Sequence, residues 1–304
     1  MKVLITGAAG FIGSHTAEYL LQKRYKVVVV DNFSTGRLEN LKNFSGSIED
    51  CDITNAPMLE AIFNRFRPEI ILHFAAQSAI TTAWMNPHKD ANVNVLGTMN
   101  LIEMGVKYGA RKFVFASTSA VYGKGRRFFA SRETDRCEPD TPYGVSKLAS
   151  EQYIRMFFPN HVILRYANIY GPRQKPIGEN QVIARAFNHF LHGTDFNVVG
   201  NGNQKRDFVF IDDLVFANYL AVSGQKSGTY NVATGKSHSV NETLSMLEEY
   251  FEVRGYKWTH TTEEDKRGSV YINGDKFRND FGWKPKNYLL DGIAATADWW
   301  RDSR

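Results

Sequence analysis

The sequence predicts an α/β protein: a doubly wound parallel sheet with a smaller C-terminal lobe. Three observations predict it. The first half alternates short, unbroken apolar runs with longer helix-like stretches, the pattern of parallel strands covered on both faces by crossover helices. A glycine-rich segment, residues 6–13, stands between the first apolar run and the first helical stretch. The alternation then degrades after about Tyr170, where Gly171-Pro172 breaks the chain.

Taken in order, residues 2–6 read as a strand that stops at Gly7, 14–23 as a helix, and 27–30 as a strand made wholly of valine. Residues 58–65 read as a helix, 70–74 as an apolar strand, 91–108 as one long helix and 112–116 as a strand. Residues 143–157 follow as a helix and 162–166 as a strand. Right-handed crossovers make such a series a doubly wound sheet, and a ligand cleft is expected outside the carboxyl ends of its strands. Residues 175–180 read as a loop, 212–222 as a helix and 228–232 as a strand that returns the chain to the first sheet. The expected division is residues 1–171 with 208–236 in the sheet domain. Residues 172–207 and 237–304, including a helix at 240–250, form the lobe.

At 304 residues, with 43% hydrophobic and 23% charged side chains, the chain can bury a core without staples. Its two cysteines, Cys51 and Cys137, form no C-x-x-C pair. Neither a disulfide framework nor a metal site is expected, and a reducing, cytoplasmic setting fits. The opening apolar run is too short for a signal-peptide core, and no apolar stretch reaches 18 residues, so no membrane association is expected. The formal charge of +5 suits an anionic small substrate and equally a solvated surface. Basic residues are scattered apart from Lys124, Arg126 and Arg127, so nucleic acid is not an expected partner.

Gly7, Gly10 and Gly13 form a G-x-x-G-x-x-G pattern with a strand before it and a helix after it. Gly7 and Gly10 let the backbone turn and approach a pyrophosphate, and Gly13 lets the helix pack close to the strand. The first-turn N–H groups, including those of Phe11 and Ile12, offer positive potential to phosphates. The valine strand ends at Asp31, 18 positions after Gly13. A carboxylate there accepts both ribose hydroxyls of an adenosine and repels a 2′-phosphate, which favours NAD over NADP. Asp31-Asn32 also reads as a turn. Asp52 and Ile53 are candidate adenine contacts.

Ser117-Thr118-Ser119 closes the strand 112–116, where hydroxyls face the cleft. Tyr143 and Lys147 are spaced i, i+4 on one helical face. An ammonium beside a phenol favours the phenolate, so Lys147 and a positive nicotinamide are expected to make Tyr143 a base near neutral pH. Thr118 is expected to hold the hydroxyl that loses its proton.

Residues 6–13, Asp31-Asn32-Phe33-Ser34-Thr35-Gly36, residues 117–123 and Pro142-Tyr143-Gly144-x-x-Lys147 resemble the extended short-chain dehydrogenase/reductase family, and within it the UDP-glucose 4-epimerases. The resemblance continues through residues 165–173 and 200–213 and weakens after about Gly255. It implies a Rossmann sheet, bound NAD, a UDP-sugar substrate and a homodimer built on helices 91–108 and 143–157. Thr118, Tyr143 and Lys147 match the catalytic triad. Ser34, Thr35, Gly36, Phe74, Ala75, Ala76, Gln77, Asn94, Ser117 and Tyr166 match cofactor-side positions. Asn168 and Arg206 match residues that contact the substrate diphosphate, and an arginine's planar fork suits phosphate oxygens. The alternatives are a turn role for Asn168 and an ion pair with Asp207 for Arg206. Tyr271 or Asn273 falls where the family selects sugar size. Lys266 and Arg267 compete for a basic clamp, and Ala79 replaces a common polar residue.

Related dehydratases carry an Asp-Glu pair where Ser119 and Ala120 stand, and related decarboxylases a glutamate at Ala120. The implied activity is therefore inversion at C4 of a UDP-hexose, UDP-glucose/UDP-galactose first. UDP-N-acetylhexosamine or UDP-glucuronate epimerases, a dehydratase or a decarboxylase, and a non-catalytic NAD-binding regulator remain the alternatives.

Overall fold

The computed structural model describes residues 1–124, 129–176, 181–251, 258–262 and 269–302. Arg126, Arg127, Lys266 and Arg267 lie outside the described residues. The chain begins with β1 (Lys2–Thr6), α1 (Phe11–Gln22), β2 (Lys26–Asp31), β3 (Ser47–Asp50), α2 (Ala56–Phe66) and β4 (Ile70–His73). Two short helices, α3 (Ile80–Met85) and α4 (Pro87–Ala91), precede α5 (Gly97–Lys107) and β5 (Lys112–Thr118). Then come α6 (Pro142–Phe157) and β6 (His161–Tyr166).

β7 (Asn168–Tyr170), α7 (Val182–His192), β8 (Phe196–Val198) and β9 (Lys205–Phe210) lead away from the main sheet. α8 (Ile211–Ser223) and β10 (Gly228–Val232) return to it. β11 (Ser237–Ser239), α9 (Val240–Phe251), β12 (Trp258–His260), α10 (Asp275–Phe281) and α11 (Leu289–Asp302) complete the described chain.

The main sheet is parallel, in the order β10-β6-β5-β4-β1-β2-β3. Its strands are apolar on both faces because both faces are covered. Val3, Ile5, Val27 and Val29 pack with Ala17 and Leu20 of α1 and Leu214 and Ala217 of α8. The alternate residues Leu4, Val28 and Val30 pack with Leu59 and Phe63 of α2 and Leu101 of α5. Each fully buried side chain of this kind is worth roughly 1.5–3 kcal/mol relative to exposure. The chain moves outward from β1 through β2 to β3, then crosses to β4 on the other side of β1. The order therefore reverses at β1, and the crevice above β1 and β4 is the topological switch point.

Three strands, β11-β9-β7, form a second sheet, and β12 pairs with β8 in a third. Residues 168–170 and 208–210, assigned from sequence to the first region, thus pair in the second sheet. Trp283, fully buried, donates its indole N–H to the Asp213 carbonyl (2.9 Å), pinning the segment between α10 and α11 to α8. Among the described residues, no helix is long and apolar enough to cross a membrane.

The long helix expected at 91–108 is interrupted. Residues Asn92–Leu96 form a wider π-helical turn between α4 and α5. Such turns occur often where a side chain must be re-aimed toward a site, and this one carries Asn94.

Candidate active site

Above the switch point, Gly7 has φ +68°, and a Cβ there would lie 2.5 Å from the Ala75 nitrogen. A Cβ on Gly13 would lie 2.2 Å from the Gly7 carbonyl oxygen. The strand end at Phe74-Ala75-Ala76 and the loop 7–13 therefore abut. Gly10 differs: its nearest neighbour, the Gly7 oxygen, is at 3.1 Å. No side chain caps the start of α1 at Gly10. The Phe11–Gln22 helix thus opens with its first-turn N–H groups directed out of the loop, where an anion is favoured.

Asp31 ends β2, with Oδ2 accepting from the Ala9 N–H (2.8 Å) and Oδ1 from the Phe33 N–H (2.9 Å). Burial pushes its carboxyl up, although these N–H groups oppose the shift. Asn32 donates to Asp52 (2.7 Å), which also accepts from Thr54, and Ser34 donates to Asn32. Gly36 is packed against Ala9. Ile53, read from sequence as an adenine contact, is instead buried in the core against Gly97, because that glycine leaves room for it.

The segment after β7 straps across this side. Arg173 pairs with Glu18 of α1 (3.0 Å) and donates to the Asn40 carbonyl (3.2 Å). His15 hydrogen-bonds the Pro172 carbonyl (3.0 Å), and Lys175 donates to the Thr35 carbonyl. A glycine cradle, open helix donors and a carboxylate at the end of β2 fit an adenine dinucleotide.

At the neighbouring strand end, Thr141 caps α6 by accepting from the Gly144 N–H (3.1 Å), with Pro142 in the first turn. That start sets Tyr143 and Lys147 one turn apart. Tyr143 comes close enough to Thr118 to feel its hydroxyl, and Thr118 Oγ1 accepts from the Ala120 N–H (3.1 Å). The sequence-predicted trio is thereby assembled.

Its electrostatics are set mainly by burial. Burial, and then the Asp90 carboxylate, push the Tyr143 phenol up to about 12. Lys147 is pulled down to about 7 by burial, against Glu151 and Asp90, with Nζ 4.0 Å from the centre of the Phe115 ring. Desolvation is the largest influence on each group and disfavours both charged forms; the lowering of Tyr143 expected from sequence combined Lys147 with a positive nicotinamide.

Behind the trio lies polar support that the sequence reading left out or assigned differently. Asn94, 2% exposed, donates from one amide nitrogen toward the Gln77 carbonyl (3.0 Å), Asp90 Oδ1 (3.1 Å) and Ser146 Oγ (3.0 Å). Two hydrogens are thus shared among three acceptors. Gln77 donates its N–H to Asn94 (2.8 Å) and its amide to Asp90 (3.0 Å). The side chains of Gln77 and Asn94, read as cofactor contacts, are committed to this network; they support the loop beside the site.

His73 links it to the glycine loop. The Thr98 hydroxyl donates to the Asn94 carbonyl (2.6 Å), so it accepts from Nε2–H of His73 (2.9 Å). Nδ1 then accepts from Thr6 (2.7 Å), and burial keeps this imidazole neutral. A lone histidine closing an apolar strand, Ile70–His73, was the available signal.

Ser117 donates to Glu151 (2.5 Å), which is held bidentately by Arg165 (2.9 and 2.6 Å), and Tyr166 donates to Asn218 (2.7 Å). Both side chains assigned to the cofactor are therefore turned to neighbouring helices.

On the lobe side, Asn168 donates to the Asp207 carbonyl (3.2 Å). Arg206 is 9% exposed and donates to the Lys205 carbonyl (2.9 Å). The Asp207 carboxylate accepts from Thr234 and Gly235 (2.7–2.9 Å). Asn273, expected at the sugar-facing wall, has its side chain turned onto the start of α10, where Oδ1 accepts from the Asp275 N–H (2.9 Å). Its backbone N–H bonds the Ser131 carbonyl (2.8 Å). Among the described residues, no cluster of three or more His, Cys, Asp or Glu side chains is arranged to hold a metal.

Residues 3–233 match the model of the NAD dependent epimerase/dehydratase family. The chain belongs to that family. A curated epimerase/dehydratase relative, the UDP-glucose 4-epimerase of Mycolicibacterium smegmatis, is 34% identical over 99% of both chains. A solved UDP-glucose 4-epimerase from Thermotoga maritima, crystallised with UDP-glucose, superposes with a TM-score of 0.95 at 35% identity, covering 100% of this chain and 99% of that one. The Thermus thermophilus UDP-glucose 4-epimerase in complex with NAD superposes at 0.93 and 35% identity, covering 100% of each. This epimerase/dehydratase-family chain thus superposes on these structures along its whole length, Rossmann sheet included.

Proposed function

We propose that this chain is an NAD-dependent epimerase that inverts C4 of a UDP-hexose, with UDP-glucose and UDP-galactose the first pair to test. The observation that carries the reading is Tyr143, beside Thr118 and one turn from Lys147, at the strand end next to the glycine cradle. NAD, when bound, supplies a hydride acceptor and a positive ring that favours the phenolate. Tyr143 removes the proton from the 4-hydroxyl while Thr118 holds that oxygen, and later returns the proton to the ketone. Arg206 and Asn168 hold the diphosphate while the sugar turns, so the hydride returns to the opposite face. Ser119 and Ala120 supply no second acid or base, which disfavours water elimination and decarboxylation. Asp31 disfavours a 2′-phosphate, so NAD binds in preference to NADP.

Two further features belong to this reading. Leu96, Met99 and Val106 of the α5 side, and Val145 and Met156 of α6, are exposed apolar residues on adjacent helices. They suit a homodimer in which these helices pair. Cys51 and Cys137 are both free thiols, which suits a reducing, cytoplasmic setting.

The test is incubation of purified protein with a panel of UDP-sugars, read for the 4-epimer. UDP-galactose should form from UDP-glucose, and Tyr143→Phe should lower the rate about 10²–10⁴-fold with NAD still bound. Retention of more than about a tenth of the rate would remove Tyr143 from its assigned role.

A further inference from the structure

Asp90 is a carboxylate that this chemistry leaves unused. It is 1% exposed, on the short α4 just before the π-helical turn. Its Oδ1 accepts from the side-chain amides of Gln77 (3.0 Å) and Asn94 (3.1 Å). A buried carboxylate held by neutral amides is costly unless its charge acts on something nearby.

The hydrogen bonds lead from it to the active helix. Asn94 donates to Ser146 Oγ (3.0 Å), and Ser146 donates to the Tyr143 carbonyl (3.0 Å). In the other direction, Gln77 follows directly on Phe74-Ala75-Ala76, the strand end against Gly7. One carboxylate thus anchors both the cofactor-side loop and the first turn of α6.

We propose that Asp90 is a positioning residue of the Tyr143–Lys147 pair. Its buried charge favours the protonated forms, a phenol at Tyr143 and an ammonium at Lys147, until the positive ring of the cofactor offsets it. The inference rests on the epimerase reading for its purpose, but not for its measurement. Burial and Asp90 both raise the Tyr143 phenol, whereas for Lys147 Glu151 and then Asp90 oppose the lowering by burial. A negative charge favours the protonated form of both groups, so its removal moves both titrations to lower pH.

The elements packed on α4 are α3, the π-helical turn and α6. Neither α3 nor the turn carries an ionisable side chain. From α6 the relevant groups are Tyr143, Lys147 and Glu151, the last already paired with Arg165 and Arg155. On α4 itself, His88 and Lys89 are exposed. His73, which senses Lys147, is held neutral by burial.

The experiment follows tyrosinate absorbance of the NAD-loaded protein against pH, with the Tyr143→Phe curve subtracted. It reports the Tyr143 phenol whether or not any sugar nucleotide is turned over. In Asp90→Asn the phenol should ionise at a pH lower by about half a unit or more. Both limbs of the pH–turnover profile should shift the same way. Asp90→Thr, which keeps an acceptor for the two amides in a smaller volume, carries the same expectation should the asparagine variant not fold. Asp90→Glu, which keeps the charge, should titrate close to wild type. Superimposable curves for wild type and the uncharged variants would overturn the proposal, since a merely structural Asp90 lowers activity without moving the titration. A shifted phenol in a protein that epimerises nothing would leave Asp90 in place and refute the epimerase reading instead.

Discussion

Tyr143, partly buried, and Lys147, buried, stand one turn apart, and desolvation biases each against its charged form. This places Lys147 among the residues that cost stability for the sake of function. Its folded value, about 7, lies below the ordinary lysine value of 10.5. Between those two pH values the unfolded chain binds more protons than the folded one, so this group's contribution to stability improves as pH rises through that window. Below about 7 its destabilisation is fully present. In the NAD-free protein, Lys147→Met should therefore raise unfolding free energy at neutral pH, by roughly 1–4 kcal/mol. The gain should vanish as pH approaches 10.5. Urea titrations at several pH values measure it, and a neutral-pH loss of stability would contradict the burial account. The pair itself was legible in the sequence because i, i+4 spacing survives folding. Its ionisation was not, since the opposing burial and the charge of Asp90 come from elements distant in sequence. Asn94 and Gln77 illustrate the same limit: their place beside the site was readable, but their hydrogen-bond partners depend on how α4, α6 and the 74–77 segment meet.

Among the elements, the strands of the main sheet were the most legible, because strands covered on both faces must be apolar throughout. β10 has the bounds read from sequence, Gly228–Val232. The short pieces β3, α3, β7 and β8 were missed, since three to six residues carry too little periodicity. The single helix expected at 91–108 failed at the π-helical turn, which no propensity marks. Within the glycine loop, the phosphate role read for Gly10 and the packing role read for Gly13 go with different surroundings. A Cβ on Gly13 would meet backbone atoms at 2.2–2.9 Å, which cannot yield without moving the loop. Gly13→Ala should lower stability by about 1–3 kcal/mol and weaken NAD binding. Gly10→Ala, with its nearest neighbour at 3.1 Å, should leave stability within about 1 kcal/mol and weaken NAD binding alone. Denaturation and NAD titration of the two variants separate these outcomes; equal stability losses would show that Gly10 serves packing, not the phosphates.

At the scale of the molecule, the proposed homodimer uses the exposed apolar residues of α5 and α6 as one face. On that proposal the wild type sediments as a dimer, and Met99→Glu combined with Val145→Asp should sediment as a monomer, with the fold retained by circular dichroism. An unchanged dimer would place the interface elsewhere. The fold class was readable from the alternation of strands and helices, but the second sheet was not, because β9 is joined to β7 and to β11 only by long-range pairing. The proposed function has a hydride leave C4 and return to it. The most direct test uses UDP-glucose deuterated at C4, with purified protein and no added reductant. The account predicts UDP-galactose that retains the deuterium at C4. Loss of the deuterium to solvent, formation of a 4-keto-6-deoxy sugar, or no conversion of UDP-glucose would contradict it.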